Sequence, residues 1–291
     1  MAVSNLEAPA GRPGSLRRRK LGGAVATYAI LLIVVALILF PLYWMIITSL
    51  KLPKEIYRLP SLWPKVFTST NYHTLIYKDH FLRNIKNSLI VALTVTIISL
   101  FVSSFAAYSV VRFKYRFKGL IGRVILFAYL TPTSLLFIPL SILIARMHLG
   151  NSLYGLIVVY LTFSLPLSTW LLQGYFRAVP RELEEQAMVD GSTRMGALFK
   201  IVIPLSAPGL AAVAIFTFTG AWNELLLALI FITSESKRTV PLGINYLITS
   251  DVLPWGTLMA GAVISSLPVI ILYFLAQRFM VGGATSGSVK G

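Results

Sequence analysis

Between Leu21 and Leu50 the chain runs thirty residues without one charged side chain. A helix needs about 20 mainly apolar residues to cross the hydrocarbon of a bilayer, so this run is long enough to span. Arg17, Arg18, Arg19 and Lys20 precede it like the basic start of a secretory leader. The apolar part of such a leader is only about 7–15 residues long, so the run is expected to remain as a first span. The rest of the chain agrees. Apolar residues make up 56% and charged residues 12%, with mean hydropathy +0.78. Soluble domains carry about 25% charge, and 291 residues cannot hide this much apolar side chain from water.

Six regions are apolar and long enough to cross: 22–49, 87–111, 122–146, 153–175, 202–232 and 258–278. Lipid satisfies no free backbone group, so each is expected to be a helix. Pro41, Pro132, Pro139, Pro166, Pro208 and Pro268 lie in or near these spans and mark candidate kinks.

The net charge of +16 comes from residues that flank the apolar runs. That pattern belongs to membrane orientation, not to a basic face for nucleic acid. Placing the N-terminal tail, the 112–123 loop, the 177–200 loop and the C-terminal end inside puts 16 of 26 basic residues there. Both termini are then cytoplasmic. The outer segments are 50–86, a short turn at 147–152, and 233–257. The first contains LPKEIYRLPSLWPKVF, whose aromatic residues suit interfacial anchoring or a docking surface. Cysteine is absent, and His73, His80 and His148 are scattered, so no metal-binding or catalytic cluster is legible.

The loop between the fourth and fifth runs differs from everything around it. It reads FRAVPRELEEQAMVDGSTRMGALFKIVIPLSAPG. Pro180 suits the first turn of a helix, and Glu182, Glu184 and Glu185 then favour its positive end. Leu183, Ala187 and Met188 form a short apolar stripe. Gly191 is placed to cap this helix in a left-handed conformation. Ser192 is placed to N-cap a second short helix carrying Met195, Leu198, Phe199 and Val202. Gly191 to Gly196 has the spacing that opens a phosphate-binding loop. However, Ala197 and Leu198 stand where lysine and a hydroxyl are required, so ATP is not expected to bind there. An amphipathic connector on the headgroups would set three glutamates against an anionic leaflet. A basic partner protein suits the loop better.

Glu185, Gln186, Ala187 and Gly191, followed by Ile201, Ile203 and Pro204, resemble the E-A-A, G, I-x-L-P loop of ABC-importer permease subunits, with Gln186 and Ile203 as departures. The stretches 106–119, 138–157, 221–229 and 283–291 are similar to the carbohydrate-uptake branch, and within it to the second, MalG-like permease of maltose-type importers. The resemblance implies an all-α, six-span, MetI-like fold with a cytoplasmic coupling helix-turn-helix in a bacterial cell membrane. The parts would be a tail at 1–21, a permease domain at 22–281 with the coupling loop at about 177–203, and a tail at 282–291. It implies a second related permease, two ATPase subunits that hold ATP and Mg, and an extracellular solute-binding protein. This chain would bind no cofactor and would not be an enzyme. Glu184, Glu185, Ala187, Met188, Asp190, Gly191, Ile201 and Pro204 would form the ATPase-coupling surface.

Trp222, Asn223 and Glu224 are the candidates for the substrate pathway. An acid in a membrane run is costly and a functional suspect. Glu224 lies 20 residues past Pro204, about 30 Å along a continuous helix, near the outer interface. The outer segment 233–257 is either a passive loop or a probe into the binding protein. Three other classes compete: an ion-coupled secondary transporter, an ABC permease for a solute other than sugar, and a membrane enzyme. The first wants buried ionisable residues and broken-helix repeats, and the last wants a catalytic cluster.

Overall fold

The computed structural model describes residues 13–58, 61–248 and 253–285. Most of tail 1–21, the end of tail 282–291 and positions 249–252 of the third outer segment lie outside them. Among the described residues the chain is all helix and turn, without a strand.

Four helices are long and apolar enough to cross unbroken. They are α1 (Pro13–Ser49, apolar from Thr27), α4 (Phe81–Arg112), α7 (Leu153–Ala178) and α14 (Trp255–Thr285, apolar to Phe279). Two further crossings are bent pairs, giving up to six. Between α1 and α4 lie α2 (Pro53–Ile56) and α3 (Thr70–His73), the latter continued by a π-helical turn at Thr74–Lys78.

The third expected span is interrupted. α5 (Lys118–Leu130) stops at Thr131–Pro132, a 3-10 turn follows, and α6 (Phe137–Arg146) leaves within a segment turned by 93°. Pro132 has no N–H to continue the ladder, and the residue before a proline is pushed to extended backbone. Thr131 is extended, with ψ 123°. Pro41, Pro166 and Pro268 lie inside unbroken helices.

The fifth expected span, 202–232, is also not one helix. Arg194–Leu205 is bent by 78° from α11 (Ala207–Asn223). The helical ladder ends again at Glu224, and α12 (Leu226–Phe231) starts afresh. α13 (Val240–Leu247) follows in the connection to α14.

α4 and α7 form the centre. Small residues let them approach: Ser99 and Ser103 are fully buried, and Ser99 Oγ lies 2.8 Å from Ser164 Oγ. Such small-residue faces suit helix packing in lipid, where apolar burial alone gives no preference for a neighbouring helix. Val91, Val95, Leu156, Val159 and Leu227 form the core at one end. Ala107, Val111, Leu172, Phe176 and Val213 form it at the other. α1 packs along α14; Leu32, Leu37 and Ile38 are exposed, whereas Ile47, Thr48 and Ser49 at its end are buried.

Candidate coupling site and translocation cavity

At the end where α4 finishes and α7 ends, the chain folds a compact knob. α8 (Arg181–Val189) starts directly after Pro180, which occupies the N-cap position. It ends in a Schellman turn: Ser192 N–H donates to Ala187 O (2.9 Å) and Gly191 N–H to Met188 O (3.1 Å). Gly191 has φ +90°, and nothing lies within 4 Å of where a Cβ would be. The glycine is therefore required by backbone conformation, not by space.

The second helix, α9 (Arg194–Ala197), is capped by Thr193 and not by Ser192. The Thr193 hydroxyl accepts from Gly196 N–H at 3.0 Å. A π-helical turn at Leu198–Val202 and a short α10 (Ile203–Leu205) lead to the bend at Ser206. This turn drives Leu198 and Val202 into the core against Ala107, Tyr108 and Phe176, with both side chains fully buried. Ile201 is half-buried and Pro204 exposed.

The two adjacent glutamates differ in exposure, one buried and one open. Glu184 is buried, and its Oε1 lies 2.5 Å from a terminal nitrogen of Arg112 at the end of α4. That contact is an ion pair without an aligned hydrogen bond. Tyr108 donates to the other oxygen at 3.0 Å. Arg112 also donates to Val179 O at 2.7 Å, and Arg181 to Val111 O at 3.1 Å. Glu184 thus fastens the knob to α4 from a buried position at the edge of the exposed face. Glu185 and Asp190 are exposed, Ala187 and Met188 half-buried, and Leu183 shows 38% of its surface. Beside them opens a hollow of about 680 Å³ lined by Glu185, Met188, Lys114, Arg181 and Arg194 among others.

Both interrupted spans meet at a cavity of about 190 Å³. Tyr129 and Thr133 flank the break after α5, and Glu224 sits at the break after α11. Tyr160, Ser164, Thr217, Phe163 and Phe216 complete the polar and aromatic lining. Irregular backbone at membrane depth is tolerated where it lines a cavity. Glu224 is extended (ψ 116°), and its Oε1 accepts from Leu227 N–H at 2.9 Å, so it caps α12. It is therefore not carried on a continuous helix. Trp222 is 2% exposed, stacked on Phe218, and donates to Ser265 O at 3.1 Å. Its ring belongs to the α11–α14 packing and not to the cavity. Asn223 is exposed and is not among the cavity's lining residues. Sequence reading did not find Tyr129, Thr133, Tyr160 or Ser164. Pro132 was the one signal pointing toward them.

The segments at the end opposite the knob are fastened. Asn151 Oδ1 accepts from the backbone of Thr233 and Ser234 at 3.1 Å, and its Nδ2 donates to Ser234 Oγ at 2.5 Å. Asn87 donates to Ser236 O (3.0 Å) and Arg238 O (2.9 Å), and Ser88 Oγ accepts from Val240 N–H at 2.8 Å. In the first segment, Glu55 accepts from Lys65 N–H and Ser61 Oγ, both at 3.0 Å. Trp63 and Phe67 pack edge to face and remain exposed.

Comparison with known proteins agrees with this architecture. Residues 99–283 match the family model described as the binding-protein-dependent transport system inner membrane component. The permease protein of a sulfoquinovosyl glycerol transport system from Agrobacterium fabrum is 38% identical, over 87% of this chain and 89% of its own. MalG, of the trehalose/maltose transport system of Thermococcus litoralis, is 37% identical over 90% and 95%. SugB, of the trehalose transport system of Mycobacterium tuberculosis, is 36% identical over 93% and 100%. A chain in the crystal structure of a bacterial ABC transporter that imports the acidic polysaccharide alginate superposes with TM-score 0.76. It has 19% identity and covers 93% of this chain and 99% of that one, a likeness of fold. The chain is a multi-pass membrane protein and a transport component, and it belongs to the family of binding-protein-dependent transport system inner membrane components.

Proposed function

We propose that this chain is the permease subunit of an ATP-driven ABC importer for a sugar or sugar derivative. The observation that carries the mechanism is the knob's two-sidedness. One face is tied to α4 through Glu184 and Arg112, and the other presents Glu185 and the Leu183–Ala187–Met188 stripe. A separate ATPase subunit grips the presented face, with Glu185 paired to a basic residue. Closure of two such subunits on ATP and Mg then moves the knob, and α4 with it, in a rigid-body switch between two states. Gly191 and Asp190 set the turn. Ile201 and Pro204 sit where the knob passes into α11. No nucleotide is held by this chain.

The knob faces the cytoplasm and both termini lie on that side, as the basic flanks favour. The host membrane is the bacterial inner membrane. A second related permease completes the pore and covers part of the exposed apolar surface. A solute-binding protein delivers the cargo at the opposite end, in keeping with the family description. The 190 Å³ cavity is the candidate pathway, with Glu224 and the hydroxyls around it suited to sugar hydroxyls and Phe163 and Phe216 to a ring face. The names of the relatives, whose systems carry trehalose, maltose and sulfoquinovosyl glycerol, support a sugar cargo.

The test is uptake of labelled trehalose and maltose into vesicles holding the assembled transporter and its binding protein. ATP alone is expected to drive uptake of at least one of them. Uptake that requires an ion gradient and ignores ATP contradicts the reading.

A further inference from the structure

We propose that a groove between α5 and α7, at the knob end, binds the headgroup phosphate of one anionic phospholipid. The groove encloses about 490 Å³. Lys118 and Arg123 reach it from the first turns of α5, and Arg177 from the last turn of α7. Leu126, Trp170 and Leu171 line it farther into the membrane, about 10 Å along the same helices. A polar end at headgroup level and an apolar end toward the hydrocarbon match a phospholipid, whereas free phosphate makes no use of the apolar end.

The three cations lack counter-charges. Among the described residues the ion pair is Arg112 with Glu184, and Lys118, Arg123 and Arg177 bond only neutral acceptors. Those acceptors are Val111 O (3.0 Å), Gly119 O (3.3 Å) and Gln173 Oε1 (3.2 Å). Gln173 supplies an independent observation. It lines the groove at 4% exposure, and its amide nitrogen has no hydrogen-bond partner. A buried amide donor left unpaired is costly, and a phosphate oxygen would satisfy it.

The room is made by glycines. A Cβ at Gly119 or Gly174 would meet nothing within 4 Å, and one at Gly122 would touch Val110 and Gln173 at 3.8 and 3.9 Å. Side chains there would occupy the groove itself. Placement in the cytoplasmic leaflet, where anionic lipid attracts Lys and Arg, rests on the orientation proposed above.

The experiment is native mass spectrometry of the assembled transporter, delipidated and then given phosphatidylglycerol, phosphatidylcholine or inorganic phosphate. Phosphatidylglycerol is expected to persist as one adduct on this subunit and phosphatidylcholine to be shed. Replacing Lys118, Arg123 and Arg177 together by Gln is expected to weaken retention about tenfold or more. Gly174→Leu, which keeps every charge, is expected to abolish the adduct by filling the groove, so the outcome does not hang on the triple variant folding. Equal retention in wild type and Gly174→Leu overturns the proposal. So does equal retention of phosphatidylcholine, or displacement of the lipid by millimolar phosphate. Sidedness is read separately, by labelling a cysteine introduced at Asp190 from outside the cell. Labelling there contradicts the orientation, whereas the adduct is counted whichever way the chain faces.

Discussion

Each end of α4 holds a connector, and the two ends do so by different means. At Arg112 the knob is tied by a buried ion pair to Glu184. About 37 Å away along the same 32-residue helix, Asn87 and Ser88 hold the segment opposite the knob through neutral bonds that Asn151 supplements from another turn. A buried pair fails as a unit, because removing one partner strands a charge away from water at a cost of about 3–5 kcal/mol. Neutral bonds contribute about 0.5–1.5 kcal/mol each and share the load. The knob end is thus suited to pass on a displacement, and the opposite end to stay closed when one bond is lost.

The largest expected effect is at the pin. Arg112→Met should loosen the knob by about 3–5 kcal/mol, read as faster hydrogen exchange over 181–200 in the assembled transporter. Adding Glu184→Met should recover much of the protection, since an apolar pair strands no charge. Unchanged exchange in the single variant breaks the contrast. Asn151→Ala removes three side-chain bonds at the end opposite the knob and should cost about 2 kcal/mol. Exchange should rise over 233–240 and stay unchanged in the knob. Gly191→Ala should cost about 1–2 kcal/mol, since an L-residue is forced to a positive φ. Its check is the thermal midpoint of the knob's protection, set beside the near-neutral exposed control Lys54→Gln.

The smallest effect is in the segment between α1 and α4. The backbone bond from Lys65 holds the Glu55 carboxyl below its ordinary value of 4.5. A depressed folded value means that its stabilisation is fully present above 4.5 and is lost as pH falls through the lower value. Trp63 fluorescence should therefore be flat from pH 8 to 5 and change only below 4.5. A transition above 4.5 contradicts the assignment.

Much of this was legible because lipid imposes long uncharged runs, and each unbroken run is a single helix. Gly191 was readable as a cap because the Schellman turn is local, and only glycine meets its φ without cost. Thr193 and Ser192 are neighbouring hydroxyls, and only the geometry of that turn decides which one caps α9. Glu184 and Glu185 are equally acidic and about 100° apart on the helix. Their division of roles depends on Arg112, 72 residues away. Pro132 announced one broken span, but no proline or glycine marks the break at Glu224. The cavity draws on four separate stretches of the chain, and no local pattern joins Tyr129 to Ser164 or Thr217.

The most direct test of the knob's role is retention of the ATPase subunit when the tagged, assembled transporter is purified. Glu185 is exposed and tied to nothing inside the knob, so Glu185→Lys should leave membrane insertion and knob protection intact while the ATPase is lost. Glu235→Lys, at an exposed acid on the end opposite the knob, should retain it fully. If Glu185→Lys keeps its ATPase at the wild-type ratio, the presented face of α8 is not the grip and the coupling account fails.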